Sequence, residues 1–424
     1  MSRERLAVIG GGIAGLGVAW LLRDRYEVTV FERERHLGGH SNTVVVEEAG
    51  RRVPIDTGFM VFNKVTYPHL VRLFDALRVP IKPTEMSFSV RNDALDVEYN
   101  GMGFNRVFAQ RANLVRPRFL RLLAQILRFF RVAKASLDDE SIESMSLDEF
   151  VRRHRLGEDF LRLYLVPMSA SIWSITPGGA LDFPAATLVR FFHNHGFLGV
   201  TTHHPWFTVD GGSREYVKRL LAALPPTHAA LPVAAVESAA HGVTVRTKDG
   251  ASHAFDRAVL AAHADESLAL LAQPTPLQKE LLAAFRYQAN ETLLHTDTTV
   301  MPRRRLAWAA WNYRMETSAE GERPSTHYWM NRLQGVSDRE NYFVSLNYAD
   351  RIDPAKVLWR TTYTHPIFDR AALAAQHRLP SINAESPDQR VFFAGSYFRY
   401  GFHEDALASG VRCAHAVCGE DPWT

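Results

Sequence analysis

Leu6-Ala7-Val8-Ile9-Gly10-Gly11-Gly12-Ile13-Ala14-Gly15 reads as a short strand running straight into a glycine turn and a helix. Four consecutive apolar residues are the pattern of a strand covered on both faces, as in a parallel sheet. Gly10 permits the tight turn, Gly12 lets backbone approach a pyrophosphate with no Cβ in the way, and Gly15 allows the helix to pack close to the strand. Ile13 and Ala14 lie between these glycines, where the helix N-terminus faces the phosphates. The helix is expected from Leu16 to about Arg23. A second strand, Glu27-Val28-Thr29-Val30-Phe31, ends on Glu32, an acid placed to accept hydrogen bonds from a ribose 2′-hydroxyl. Strand, glycines, helix, strand and acid in register predict a dinucleotide site and leave NAD and FAD open.

The residues that follow narrow the choice. Glu32-Arg33-Glu34-Arg35-His36-Leu37-Gly38-Gly39-His40 resembles the second flavin motif of the amine oxidase and phytoene desaturase superfamily, in which an acid precedes a Gly-Gly-Arg-like turn beneath the cofactor. The resemblance implies FAD, with Glu32, Arg33, Gly38, Gly39 and His40 at the cofactor; His40 stands where the superfamily has arginine. Ile55-Asp56-Thr57-Gly58-Phe59 matches an Asp-x-Gly element that lies close to the flavin ring in that superfamily, which makes Thr57, Gly58 and Phe59 candidates. Val233 and Val236, with a hairpin ending near Gly250, match its adenine-side strand, and Ala258-Val259-Leu260 the strand before the next excursion. Val391-Phe392-Phe393-Ala394-Gly395-Ser396 and Gly401-Phe402-His403-Glu404-Asp405 resemble its closing motif. An acid usually follows that Ala-Gly pair. Here Ser396 does, so Gly395, Ser396, Phe402, His403, Glu404 and Asp405 are expected to share the pyrophosphate and pyrimidine contacts.

At 424 residues the chain exceeds what one core usually holds. With flavin motifs near both ends, the expected fold is α/β, and α+β overall. It comprises a Rossmann-like FAD-binding domain over 1–70, 205–275 and 371–424, interleaved with a substrate domain over 71–204 and 276–370. That second domain is expected to combine helices with a mixed or antiparallel sheet. Ser146 and Glu149 are spaced as a capping box opening a helical stretch to about Ile172. Trp206-Phe207-Thr208-Val209 returns as a strand before the Gly211-Gly212 turn. Residues 276–370 show strand alternation and aromatics, among them Trp308, Trp311 and Tyr313.

A net charge of +3 gives no case for a nucleic-acid partner, and no Cys/His spacing suggests a metal. Cys413 and Cys418 are expected as reduced thiols. No signal peptide and no membrane span is legible, so a cytoplasmic location is expected. Charge is nevertheless uneven: residues 99–137 hold no Asp or Glu, while Arg106, Arg111, Arg116, Arg118, Arg121, Arg128, Arg131 and Lys134 punctuate an apolar run. The helix expected over 116–134 is either packed with a solvated basic face or laid on an anionic membrane surface, peripheral to the inner face.

A flavin carries the hard chemistry itself, so no nucleophile or metal is required. Neither cysteine precedes the closing glycine motif, and non-covalent FAD is expected. Tyr400 and His403 are the candidate catalytic residues; Tyr397 and Phe402 join them on the substrate side, with Trp311 and Tyr313 behind. Lys279 and Lys356 receive no role. Trp173-Ser174, Asn194-His195-Gly196, Asn312-Tyr313, Asn331-Arg332-Leu333-Gln334 and His365-Pro366 together resemble one bacterial branch of the superfamily. That branch is also similar to a flavin domain fused to cyclopropane-fatty-acid-synthase-type methyltransferases. The resemblance implies an oxidase or desaturase passing a hydride from an apolar substrate, such as a fatty acyl chain of a lipid, to flavin N5. Amine oxidation is the alternative, and a non-catalytic FAD-binding partner of a lipid methyltransferase is another.

Overall fold

The run Leu6-Ala7-Val8-Ile9 lies in strand β1 (Arg5–Ile9), and all four side chains are buried. The computed structural model describes residues 3–173, 177–225, 228–318, 321–384 and 389–424, so Ser174 lies outside the described residues. In it, β1 is an inner strand of a four-stranded parallel sheet. Its partners are β2 (Glu27–Phe31) and the strand Arg257–Leu260, which in turn pairs with Val391–Phe393. A strand with neighbours on both edges and cover on both faces has no solvated side, which is why its sequence does not alternate.

Helix α1 spans Ile13–Leu22, opening three residues before the expected start because Gly12 itself is the extended cap residue. It packs on the closing helix His403–Cys418. Small residues set that distance: a Cβ on Gly17 would stand 2.6 Å from Leu407 Cδ1, and one on Gly410 2.8 Å from the Ala14 carbonyl. The hairpin expected before Gly250 carries a third strand, giving the antiparallel sheet Val233–Ala239, Gly242–Thr247, Ser252–Phe255. Trp206–Val209 pairs with Phe62–Asn63 and Ile81–Thr84 in a small separate sheet.

The second large sheet has seven strands in the order Val357–Ile367, Arg286–His295, Phe343–Leu346, Gly321–Trp329, Trp311–Ser318, Phe88–Asn92, Val97–Asn100. All neighbours are antiparallel except Trp311–Ser318 with Phe88–Asn92. Helices Pro117–Ala135, Leu147–Arg153, Val166–Trp173 and Ala185–Asn194 lie between the two parts of the chain that build this sheet. Ser146 caps the second of them through the Glu149 N–H, and the Glu149 carboxylate accepts from the Ser146 N–H at 2.7 Å. Phe129 anchors the helical layer, with ring contacts to Phe150, Phe160, Tyr164 and Phe192.

Candidate active site

The carboxyl ends of β1 and β2 open into one cavity of about 1880 Å³. Small-molecule sites usually measure roughly 300–1,000 Å³, so this one has room for an extended dinucleotide and a second ligand. At the dinucleotide end Gly10 has φ +112°, and a Cβ there would sit 2.6 Å from the Ala261 carbonyl oxygen. A Cβ on Gly15 would lie 2.0 Å from the Gly10 oxygen. Gly12 differs: its Cβ would meet nothing within 4 Å, because that face is open cavity. The glycines that shape the turn and the glycine that leaves room for a ligand are thus separate residues.

Glu32 reaches the cavity from the end of β2. Its two oxygens accept from the Gly11 and Glu34 N–H groups at 2.7 and 2.9 Å. An ionised carboxylate keeps lone pairs beyond these two bonds, as a ribose contact needs. Arg33 lines the rim and is held by Glu266 at 2.5 Å. Ile13, Ala14, Gly38, Gly39, Val233, Gly395 and Ser396 all line the same cavity. Gly395 is fixed by packing, since a Cβ would collide with the Tyr397 ring at 2.3 Å, and its N–H donates to Ser409 Oγ at 2.8 Å.

His40 sits where the dinucleotide end meets the rest of the cavity. Its ring stacks on Tyr363 at 4.9 Å, and its carbonyl accepts from the Phe59 N–H at 2.7 Å. Gly58 passes so close that a Cβ would stand 2.1 Å from the His40 oxygen. The Thr57 hydroxyl meets Tyr363 Oη at 2.8 Å. His40 Nε2 is buried without a hydrogen-bond partner, an orphaned polar atom on the cavity wall. Burial holds its imidazole neutral, well below the usual histidine range, and His365 adds to the effect. The open face of Gly12, the acid at the end of β2 and this orphaned nitrogen fit FAD.

Phe59 stacks face to face with His403, with centroids 3.9 Å apart and planes 10° off parallel. His403 Nε2 meets Tyr216 Oη at 2.8 Å, and the Ser41 hydroxyl closes the group. Burial pushes the His403 imidazole down to about 3, so it is neutral at physiological pH. His365 Nδ1 meets the Asn290 amide nitrogen at 2.8 Å, and His263 stacks on Tyr287 at 4.2 Å.

Two expected cofactor residues lie elsewhere. Glu404 turns away from the cavity to accept the His69 and Leu70 N–H groups at 2.9 Å each, capping helix Pro68–Leu77; burial pushes its carboxyl up to about 7. Asp405 accepts the Phe402 N–H at 3.0 Å and so caps its own helix. Neither lines the cavity, because free N–H groups at helix starts claim these oxygens first. Tyr397, Tyr400, Phe402 and Trp311 do line it, whereas Tyr313 is buried in the core outside it. Neither cysteine reaches the cavity; Cys413 is buried and both thiols are free. Lys279 lies in helix Pro276–Ala283 and Lys356 pairs with Asp297 at 3.4 Å, both away from the cavity. Among the described residues no group of three or more His, Cys, Asp or Glu could hold a metal ion, and no helix is long and apolar enough to cross a membrane.

The rest of the cavity is a chamber between the helical layer and the seven-stranded sheet. Its helical wall includes Ile126, Phe130, Met168, Trp173 and Phe191; the strand Val357–Ile367 supplies Trp359, Thr361, Tyr363 and His365, which share one face, and also Thr362, Thr364 and Pro366. Sequence reasoning assigned none of these a role. The period of two in Trp359, Thr361, Tyr363 and His365 was the available signal for the strand. Chamber-lining helical residues carry the same spacing as core residues and offered none.

Three comparisons bear on the chain. A family model described as flavin containing amine oxidoreductase matches residues 13–358. The curated "Uncharacterized protein R656" of Acanthamoeba polyphaga mimivirus is 44% identical over 71 residues, 16% of this chain; the chain covers 14% of that relative's length. Solved structures of the same fold include putrescine oxidase bound to putrescine, with a TM-score of 0.70 at 14% identity over 99% of both chains. A CLA-producing fatty acid isomerase from P. acnes has a TM-score of 0.68 at 14% identity, covering 96% of this chain and 97% of the other. Cyclohexylamine oxidase from Brevibacterium oxydans IH-35A has a TM-score of 0.69 at 16% identity over 98% of both chains.

Proposed function

The chain belongs to the flavin containing amine oxidoreductase family and is an FAD-dependent oxidoreductase, and from that premise we propose that it dehydrogenates an apolar chain, a fatty acyl group of a lipid. One observation carries this reading. The carboxylates lining the cavity are Glu32, Glu34 and Glu266, all at the dinucleotide end, and the chamber wall has none among the described residues. A substrate ammonium entering such a chamber would shed its hydration without meeting a counter-charge. An acyl chain instead gains about 0.8 kcal/mol for each methylene it buries.

Bound FAD supplies a hydride acceptor at N5. The chain's own residues do the rest. Trp173, Phe191 and Phe402 form a connected aromatic wall, with Phe191 stacked on Phe402 at 5.1 Å, and would align an extended chain and exclude water. In this reading His403, neutral and bonded to Tyr216 through Nε2, and Tyr400 would be the side chains that hold or pass a proton. The fatty acid isomerase among the fold neighbours is in keeping with an acyl substrate.

The amine oxidases among those neighbours favour a second reading, oxidation of an amine. Anaerobic titration of the purified flavoprotein separates the two. Bleaching of the oxidised flavin by dispersed phospholipid or fatty acid, and not by putrescine or cyclohexylamine, is the expected result. Bleaching by an amine alone would replace the lipid reading. A spectrum unchanged by any of them would favour a flavin-binding partner of a lipid methyltransferase.

A further inference from the structure

Six of the ten exposed large apolar side chains among the described residues fall within one short stretch: Met102, Phe104, Leu114, Val115, Leu120 and Leu127. Scattered exposed apolar residues need no explanation, but a contiguous group does. Phe104 is 71% exposed and Val115 80%, which is costly unless something covers them. Met102, Phe104 and Leu127 also line the cavity, so this stretch, with the exposed Val200, is part of where the cavity meets solvent.

Helix Pro117–Ala135 shows how the surface is built. Phe119, Leu122, Phe129 and Ala133 face the core. Leu123, Ile126, Leu127 and Phe130, at helical spacing, face the chamber. Leu120 lies one further step round, exposed and on the same side as Leu127, two turns away. Next to this apolar strip are the exposed Arg121, Arg128, Arg131 and Lys134, none of which has a carboxylate within ion-pair distance among the described residues. Two acids beside the helix are taken by its other arginines: Asp159 pairs with Arg118 and Asp96 with Arg116.

Unneutralised cations flanking an exposed apolar strip match the two parts of a bilayer surface, anionic headgroups over hydrocarbon. We propose that this face docks on an anionic lipid bilayer, seating Val115 and Leu120 in the interface with the chamber mouth turned toward the lipid. The entry route past Leu127 rests on the acyl-chain reading above. The docking itself does not.

The test is co-sedimentation of the intact holoprotein with vesicles of phosphatidylcholine alone or mixed with phosphatidylglycerol, at low and high salt. The proposal expects binding to the mixed vesicles, weakened by salt, and little to phosphatidylcholine. The double variant Val115→Glu/Leu120→Glu should bind about tenfold more weakly. Arg121→Gln and Arg128→Gln should each cost about fivefold. An unchanged flavin spectrum verifies that each variant is folded. No binding by the wild type, or equal binding by the variants, overturns the docking face. So does a dimer that Leu120→Glu dissociates with no vesicle binding, which would make this face a contact between copies. Binding without flavin bleaching by lipid would overturn the substrate reading and leave the docking face standing.

Discussion

Tyr216 Oη and His403 Nε2 share a hydrogen bond of 2.8 Å that ties the helix after the Gly211-Gly212 turn to the first residue of the closing helix. Tyr216 is fully buried, His403 is half-buried on the cavity wall, and the Ser41 hydroxyl meets the same phenol oxygen. Tyr216→Phe removes the shared partner and keeps the ring. Buried polar groups that lose a partner cost about 1–3 kcal/mol, so the variant should unfold at lower urea than the wild type by a corresponding amount. An unchanged midpoint would show that the contact is energetically idle.

Gly10 and Gly12 should fail in different ways when substituted. Gly12→Val places a side chain in open cavity from a backbone with φ −78°, which any residue adopts. The purified variant should melt as the wild-type apoprotein does and lack bound FAD. Gly10→Val meets the Ala261 carbonyl from a positive φ, so it should lose stability whether or not FAD is supplied. Absorbance near the flavin bands together with thermal melts of both apoproteins distinguishes the two. FAD retained by the Gly12 variant would contradict the placement of the pyrophosphate.

The dinucleotide end was legible because its signals are local: β1, the glycines, α1 and Glu32 are close in sequence and each has a single steric or hydrogen-bonding purpose. Glu404 and Asp405 misled for the opposite reason. Acids in the first turn of a helix serve a cofactor or a cap equally well. What decides for Glu404 is the start of helix Pro68–Leu77, more than 300 residues away, which brings the His69 and Leu70 amides to its two oxygens. The chamber was illegible on similar grounds. Ile126 and Phe130 face a cavity while Phe129 faces the core, and one apolar periodicity encodes both.

Buried histidines give the fold an acid limit. His295 Nε2 and His327 Nδ1 both meet the Ser345 hydroxyl at 2.7 Å inside the seven-stranded sheet, and burial pushes His295 down to about 4. An unfolded imidazole takes its proton near 6.5. Between pH 6.5 and 4 the unfolded chain therefore binds more protons, so stability is fully present above 6.5 and falls as the pH drops toward 4. One such group contributes a slope approaching about 1.4 kcal/mol per pH unit. Glu404, raised to about 7, acts oppositely and weakens the fold as pH rises through that value. Comparing wild type with His295→Gln isolates the histidine: the variant should be less stable at pH 7 and lose less on acidification to 5. Parallel curves would show that His295 does not titrate in this window.

His40 offers the sharpest test of the cofactor end, because its ring and its nitrogen can be separated. The ring is held by the Tyr363 stack and the backbone by the Phe59 amide, so His40→Phe preserves both supports. The ring nitrogens Nδ1 and Nε2 are lost, and of these it is Nε2 that lies buried with no hydrogen-bond partner in the protein. If it contacts bound FAD, the apoprotein should bind FAD about fivefold more weakly, the size of one ordinary hydrogen bond. The apoprotein itself should be as stable or slightly more so, since a buried unpaired polar atom has been removed. Flavin fluorescence quenching on titrating apoprotein with FAD measures the first quantity, and thermal melting of the apoprotein the second. Equal FAD affinity in the two proteins would mean that His40 holds the turn through its ring and carbonyl alone.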